Sequence, residues 1–293
     1  LRRWATWGAQ AYQRDFEGQA AYFGVATETS KSMLQRERRG TLFVDNHRKL
    51  NFYLRALWAR AFFMRPTADD FETRQGSRPY IEDYLVHLPD AFDQYDGIDG
   101  IDVYRAAAAH AAAHIVYTSE TVISDDLSPA QRSMVEIFED ARVEYLAYRQ
   151  FPGLRRLWLR FFEYALESAP KELHPVASIM LRLNRALLDP DYNDAEAWIN
   201  DIVSRYRKLL EANAVDRALL REFGLEFFDR VRESEKLPAL RLLQDSPVPY
   251  RDDNRYFWAF DESGPGSGEF ERLPWRQPTQ RKYVSVMEMV NEI

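Results

Sequence analysis

Residues 104–118 read YRAAAAHAAAHIVYT, and seven of the ten positions from 106 to 115 are alanine. Alanine is the strongest helix former, so the run predicts a helix over roughly 101–118. Such small side chains let a neighbouring helix approach closely, which predicts a helix packed inside the protein rather than on its rim. Two of the three exceptions, His110 and His114, stand four residues apart and share one helical face with Val103, Ala107 and Tyr117.

That spacing has two readings. Two imidazoles at i and i+4 can hold one divalent ion. Glu136, Glu139, Asp140 and Glu144 on the next predicted helix offer a carboxylate if the two helices pack antiparallel. The zinc-protease form of this reading fails at Ala111, where the HExxH pattern needs a glutamate as general base. The second reading is a packed polar cluster in which a half-buried histidine pairs with Asp140 or Glu144. Spacing without a third ligand in the local pattern favours packing, so the expectation is no metal and no cofactor. In EDARVE (139–144), Arg142 beside Glu139, Asp140 and Glu144 reads as an inter-helix or surface ion-pair network.

The 3.6-residue period dominates elsewhere. From Thr41 to Phe63, the residues Leu50, Tyr53, Leu54, Leu57, Trp58, Ala61 and Phe62 form one apolar stripe. Ser128 and Pro129 open a helix that runs to the stop at Pro152–Gly153. Further helices are predicted over roughly 2–23, 153–168, 174–188, 193–212 and 215–233. Two stretches break the pattern: a hairpin or extended loop near 78–90, and an aromatic strand near 248–260 followed by GPGSG. The fold class is therefore mainly α, a multi-helix domain over 1–247 with a small β element. Residues 248–293 are expected to form a strand-containing segment and a linker.

Composition removes several function classes. The chain has no cysteine, so thiolate chemistry and disulfides are excluded, as in a reducing cytoplasm. A net charge of -7 argues against a general nucleic-acid binder. No run approaches the roughly 18 apolar residues of a membrane span. Of the 39 basic residues only 6 are lysine, and 18 Phe, 16 Tyr and 7 Trp accompany the arginines. Arginine and aromatic rings are the side chains of interfaces and paired charges. His47, His87 and His174 are isolated, and no phosphate loop or nucleophile elbow is present. The D-x-S-x-S adhesion pattern begun at Asp261 and Ser263 fails at Pro265.

The segments ERRGTLFVD (37–45), YLRALW (53–58), RPYIEDYLVHLPDAFD (78–93), YRAAAAHAAAH (104–114), EDARVEYLAYRQFPGLRRLW (139–158) and PYRDDNRYFW (249–258) together resemble the N-terminal helical region of the CbbO/NorD family. Cobalt-chelatase subunits, with a segment similar to EDARVE, are more distant relatives. The resemblance implies an adaptor for a ring-shaped AAA+ ATPase of the MoxR class. CbbO-type members act with CbbQ on rubisco blocked by sugar phosphates, and NorD-type members serve nitric oxide reductase maturation. It carries over no metal ligand and no catalytic residue. The chain opens on leucine and lacks the family's C-terminal von Willebrand A domain, so a longer protein is expected, with target binding in the missing part. Under this resemblance the predicted function is a non-catalytic, cytoplasmic adaptor with a CbbQ-like ring as partner and rubisco as target. The NorD type and a metal-dependent hydrolase using His110 and His114 are the alternatives. Partner contacts are expected at Arg36, Arg38, Arg39, Arg78, Tyr80 and Tyr84, because arginine and aromatic side chains dominate binding hot spots.

Overall fold

The polyalanine helix lies at the centre of the protein. In a computed structural model, α5 (Gly100–Tyr117) buries all seven of its alanines together with His110 and His114. Burial on every side, rather than along one stripe, is what a helix of small apolar residues dictates. The structure describes residues 2–37, 40–67, 78–95, 97–119, 121–124, 126–167, 173–240, 243 and 248–259.

Around α5 the described residues form nine further helices: α1 (Arg2–Ala11), α2 (Phe16–Phe23), α3 (Glu28–Glu37), α4 (Phe43–Trp58), α6 (Pro129–Gln150), α7 (Gly153–Glu167), α8 (Pro175–Leu188), α9 (Ala197–Glu211) and α10 (Arg217–Ser234). The protein is mainly α, as its periodicity predicts. Helix α6 starts where the sequence signals it. The Gln131 amide donates to Ser128 Oγ and the Ser128 amide to Gln131 Oε1, a reciprocal cap with Pro129 in the first turn. One core cluster gathers α4, α5, α7 and the strands, including Leu50, Leu54, Val103 and Trp158. The other joins α6, α8, α9 and α10 through Phe138, Leu183, Tyr206 and Phe227. Helix α6 contributes to both, with Val143 and Ala147 in the first and Met134 and Phe138 in the second.

Two helical expectations needed correction. The single helix predicted over 2–23 is broken, because the Asp15 carboxylate takes the Gly18 amide at 2.9 Å and so starts α2 afresh. Helix α3, not foreseen, closes a small corner in which Ser30 Oγ donates to the Tyr22 carbonyl and accepts from Trp4 Nε1. The stripe read as helical to Phe63 stops at Ala59, whose left-handed backbone (φ 52°) ends α4. Phe63 then begins a strand.

That strand, β2 (Phe63–Pro66), runs parallel to β4 (Leu85–Leu88), which pairs antiparallel with β3 (Tyr80–Glu82). The hairpin expected near 78–90 is therefore present, turned by Asp83 and Tyr84, both with positive φ (48° and 64°). Two shorter pairs complete the β structure: β1 (Thr41–Leu42) with β5 (Ala91–Phe92), and β6 (Val122–Ile123) with β7 (Trp258–Ala259). The strand anticipated over 248–260 shrinks to the two residues of β7. Most of 248–257 is instead an irregular strap that sinks Val248, Tyr250 and Phe257 into the core. Consistent with that burial, one compact unit spans Leu1–Ala259, so these residues belong with the helices rather than with a separate C-terminal segment. Residues 260–293 lie outside the described residues. Among the described residues no helix is long and apolar enough to cross a membrane.

Contact between α6 and α10 depends on Gly224. A Cβ there would stand 2.5–2.8 Å from the side chain, Cα and amide nitrogen of Val135. Gly224→Ala, which gains helix propensity in isolation, should therefore destabilise the protein by about 2 kcal/mol through overpacking. Chemical denaturation checks this, and a raised midpoint would refute the close approach.

Candidate functional site

Helix α5 directs His110 and His114 at α6, and α6 answers with Glu139, Asp140 and Glu144, which the i, i+4 period keeps near one face. The strap supplies the third wall with Tyr250, Arg251, Asp252 and Asn254. All of these side chains are buried. Asp140 and Glu144, the carboxylates the sequence offered to the histidines, do meet them.

His110 is gripped on both sides. Its Nδ1 lies 3.1 Å from Glu144 Oε1, and its Nε2 lies 3.3 Å from Asp252 Oδ1 and 3.7 Å from Asp140 Oδ1. His114 Nε2 faces the same two oxygens, at 3.3 Å from Asp140 and 3.7 Å from Asp252. Behind it, His114 Nδ1 is 3.2 Å from Thr118 Oγ1, and that hydroxyl donates to Glu139 Oε1 at 2.6 Å. Because Thr118 spends its proton on Glu139, its oxygen is left to accept, which puts the His114 ring proton on Nδ1. His110 instead has a carboxylate against each ring nitrogen, Glu144 at Nδ1 and Asp252 at Nε2.

Arg251 binds this wall to α6. Its guanidinium donates to both Glu144 oxygens, at 3.2 and 2.9 Å, and reaches Asp140 Oδ2 at 3.2 Å. It also donates to Asn184 Oδ1 on α8. Tyr250 donates to Glu144 Oε1 at 2.8 Å, and Asn254 Nδ2 to Asp140 Oδ1 at 2.9 Å. Burial alone would raise the pKa of Asp140 and Glu144; the Arg251 charge and the histidines outweigh it and hold both carboxyls low. Burial likewise disfavours the His110 imidazolium, yet the Asp252 and Glu144 carboxylates facing its two nitrogens and the Asp140 charge raise its pKa to about 9. Asp252 stays low through His114 and His110. At the edge, Glu136 is pushed up to about 7 by burial, against the hydrogen bond that Trp258 Nε1 donates to it at 2.7 Å.

Arg142 behaves as EDARVE suggests, donating twice to Glu139, at 2.7 and 2.8 Å, and once to the Tyr117 carbonyl. Glu139, Asp140, Glu144 and Asp252 thus face Arg142 and Arg251, two negative charges in excess when both imidazoles are neutral. Neither His110 nitrogen nor either Asp252 oxygen has an aligned hydrogen-bond partner among the described residues. His110, His114, Asp140 and Asp252 each bring one donor atom into a group no wider than 4.8 Å, the set that could hold an ion.

The sequence missed Asp252, Arg251, Tyr250 and Asn254. Their signal was RDDN between aromatic residues in an expected strand, where alternation would have sent half of them to solvent. The expected partner contacts divide. The Arg78 guanidinium donates to the Asp252 carbonyl at 2.6 Å, and Tyr80 stacks on His87 with the Arg255 guanidinium 4.1 Å from its ring centroid. Tyr84 is exposed at the hairpin tip. Arg36 lies in α3, while Arg38 and Arg39 lie outside the described residues. His174 caps α8 by accepting the Val176 amide, and His47 is 3.0 Å from the Asn51 amide group. A surface cavity of about 540 Å³ is a groove lined by Tyr53, Leu57, Ile101 and Leu157. Its lining includes neither histidine of the buried centre. Comparison with protein families, curated proteins and solved structures finds no match to this chain.

Two outcomes follow for stability. Arg251→Met strands Glu144 and Asp140 and should cost about 3–5 kcal/mol, measured by urea unfolding; a loss under about 1 kcal/mol would contradict the bridging role. His87, held down to about 4 by burial and then by Arg255 and Arg65, refuses a proton that the unfolded chain accepts near pH 6.5. It therefore contributes stability above pH 6.5 that is lost as pH falls towards 4. His87→Phe should flatten the acid limb of the stability curve in that window, and an unchanged slope would show that His87 is not the group responsible.

Proposed function

We propose that this chain is the helical body of a non-catalytic adaptor for a ring-shaped AAA+ ATPase of the MoxR class, of the kind that reactivates sugar-phosphate-blocked rubisco. The observation that carries the reading is the enclosure of the histidine–carboxylate group found among the described residues. His110, Glu144 and Asp252 have no exposed surface at all. General acid–base work needs a substrate atom within hydrogen-bond reach, and these groups reach only one another and the strap.

The family resemblance supports the same reading from another direction. Arg78, the two histidines, Glu139 to Glu144 and Tyr250 to Asn254 come from four of the segments that carry it, and they meet at one centre. A rigid body of this kind suits an adaptor, which must bind its ring differently in different nucleotide states for hydrolysis to be transmitted. On this proposal the protein works in the cytoplasm with a CbbQ-like ring, and rubisco is engaged through the von Willebrand A domain of the family. Tyr84, 65% exposed at the hairpin tip, is the contact residue for which the structure offers most.

The protein in its natural full length, mixed with a CbbQ-like MoxR-class ATPase, should change the ATP hydrolysis rate and restore inhibited rubisco. Tyr84→Gly, which suits the positive φ at that position, should weaken the coupling about tenfold or more, at little cost to stability. Restoration of nitric oxide reductase instead of rubisco would identify the NorD type. No effect on the ATPase in any nucleotide state would contradict the adaptor reading.

A further inference from the structure

We propose that His110 Nε2, His114 Nε2, Asp140 Oδ1 and Asp252 Oδ1 are the four ligands of a divalent transition ion of the zinc class. The ion clamps the strap to α5 and α6. This goes beyond the adaptor reading and does not depend on it, since the clamp would serve any function of the fold.

Four observations converge. The first is geometric. A tetrahedral zinc site with nitrogen and oxygen ligands at 2.0–2.1 Å has ligand atoms about 3.3 Å apart. The four histidine–aspartate separations are 3.3, 3.3, 3.7 and 3.7 Å, close to those edges, and the whole group is no wider than 4.8 Å, so bound zinc would draw in the longer edges. The second is the tautomer. Thr118 places the His114 ring proton on Nδ1, which leaves its Nε2 lone pair facing carboxylate oxygens, and a neutral His110 with its proton towards Glu144 would do the same. Lone pairs gathered in this way repel one another unless a cation lies between them.

The third is the outer shell. Ligating histidines nearly always donate their other ring nitrogen to a carboxylate or similar acceptor; here the Thr118–Glu139 relay provides it for His114, and Glu144 Oε1 lies 3.1 Å from His110 Nδ1. Asn254 and Arg251 hold Asp140 in the same manner. The fourth is charge. Both Asp252 oxygens are buried and lack a hydrogen-bond donor among the described residues. With both imidazoles neutral, as metal ligation requires, the cluster carries two surplus negative charges, which one divalent ion cancels. A buried carboxylate without donors is costly, and metal ligation removes that cost. With four protein ligands the shell is closed, the pattern of a structural rather than a catalytic zinc.

Sequence alone favoured simple packing because α5 and α6 offered two imidazoles and no fixed carboxylate. Asp252, more than a hundred residues further on, changes that balance. The competing occupant is a pair of protons, one on each Nε2, which would cancel the same charge.

Protein purified without chelator should contain one zinc per chain by elemental analysis. After stripping, zinc(II) alone should restore the thermal midpoint. Cobalt(II) alone should give the intense visible absorption of a four-coordinate site. Asp252→Asn, nearly isosteric, should lower zinc affinity by more than about 100-fold, and Thr118→Val by 10–100-fold. Should either variant fail to fold, the cobalt spectrum and zinc stoichiometry of the wild-type chain still decide. Absence of stoichiometric metal together with no zinc-induced shift would overturn the proposal in favour of the proton pair. So would zinc binding unchanged by Asp252→Asn in a folded protein.

Discussion

The buried ion pair between Glu144 and Arg251 is the interaction on which the rest of the structure depends. It joins a helix to an irregular segment more than a hundred residues away, and the centre closes around it. Burying two charges is expensive, and their attraction offsets the desolvation only when geometry and additional hydrogen bonds are good. Here both Glu144 oxygens are used, by Arg251, Tyr250 and the His110 contact. Arg251 in turn reaches Asp140 and Asn184. A network of this kind specifies one arrangement of α5, α6, α8 and the strap, because any slip would leave a charge buried without a partner.

The polyalanine helix makes that network attainable. Larger side chains on α5 would separate it from α6 and the strap. The ring nitrogens of His110 and His114 would then lie beyond reach of Asp140, Glu144 and Asp252. The surrounding aromatic rings contribute the low-polarity wall: Trp158 and Phe161 pack near Tyr250, and the Trp158 indole donates to the Ala106 carbonyl at 3.1 Å. Low polarity strengthens each charge–charge contact and penalises each unmade one. Function would follow from the same feature. On the adaptor proposal, a centre sealed in this way acts by fixing shape.

Much of this was legible from the residues. The helices from Gly100 onward follow directly from their period and their caps, as at Ser128 and Pro129, and the hairpin follows from alternation between turn residues. The meeting of His110 and His114 with Asp140 and Glu144 was also readable, since it needs only two adjacent helices packed antiparallel. What could not be read were events decided by long-range contacts. Phe63 leaves its apparent helix to join a sheet, whereas the break at Asp15 is local, an N-cap that the period reading passed over. The strap obeys neither helical nor strand period, because the positions of Arg251, Asp252 and Asn254 are set by charges on α6. Arg78 shows the same limit: its composition suggested a surface, and the Asp252 carbonyl gave it an internal partner.

If the buried charges hold the strap as tightly as they hold the helices, the amides of residues 250–258 should exchange hydrogen only when the whole domain opens. Their opening free energies, measured by native-state hydrogen exchange, should then match those of α5 and α6. Exchange of the strap at the rate of an exposed loop, while α5 and α6 stay protected, would contradict that account.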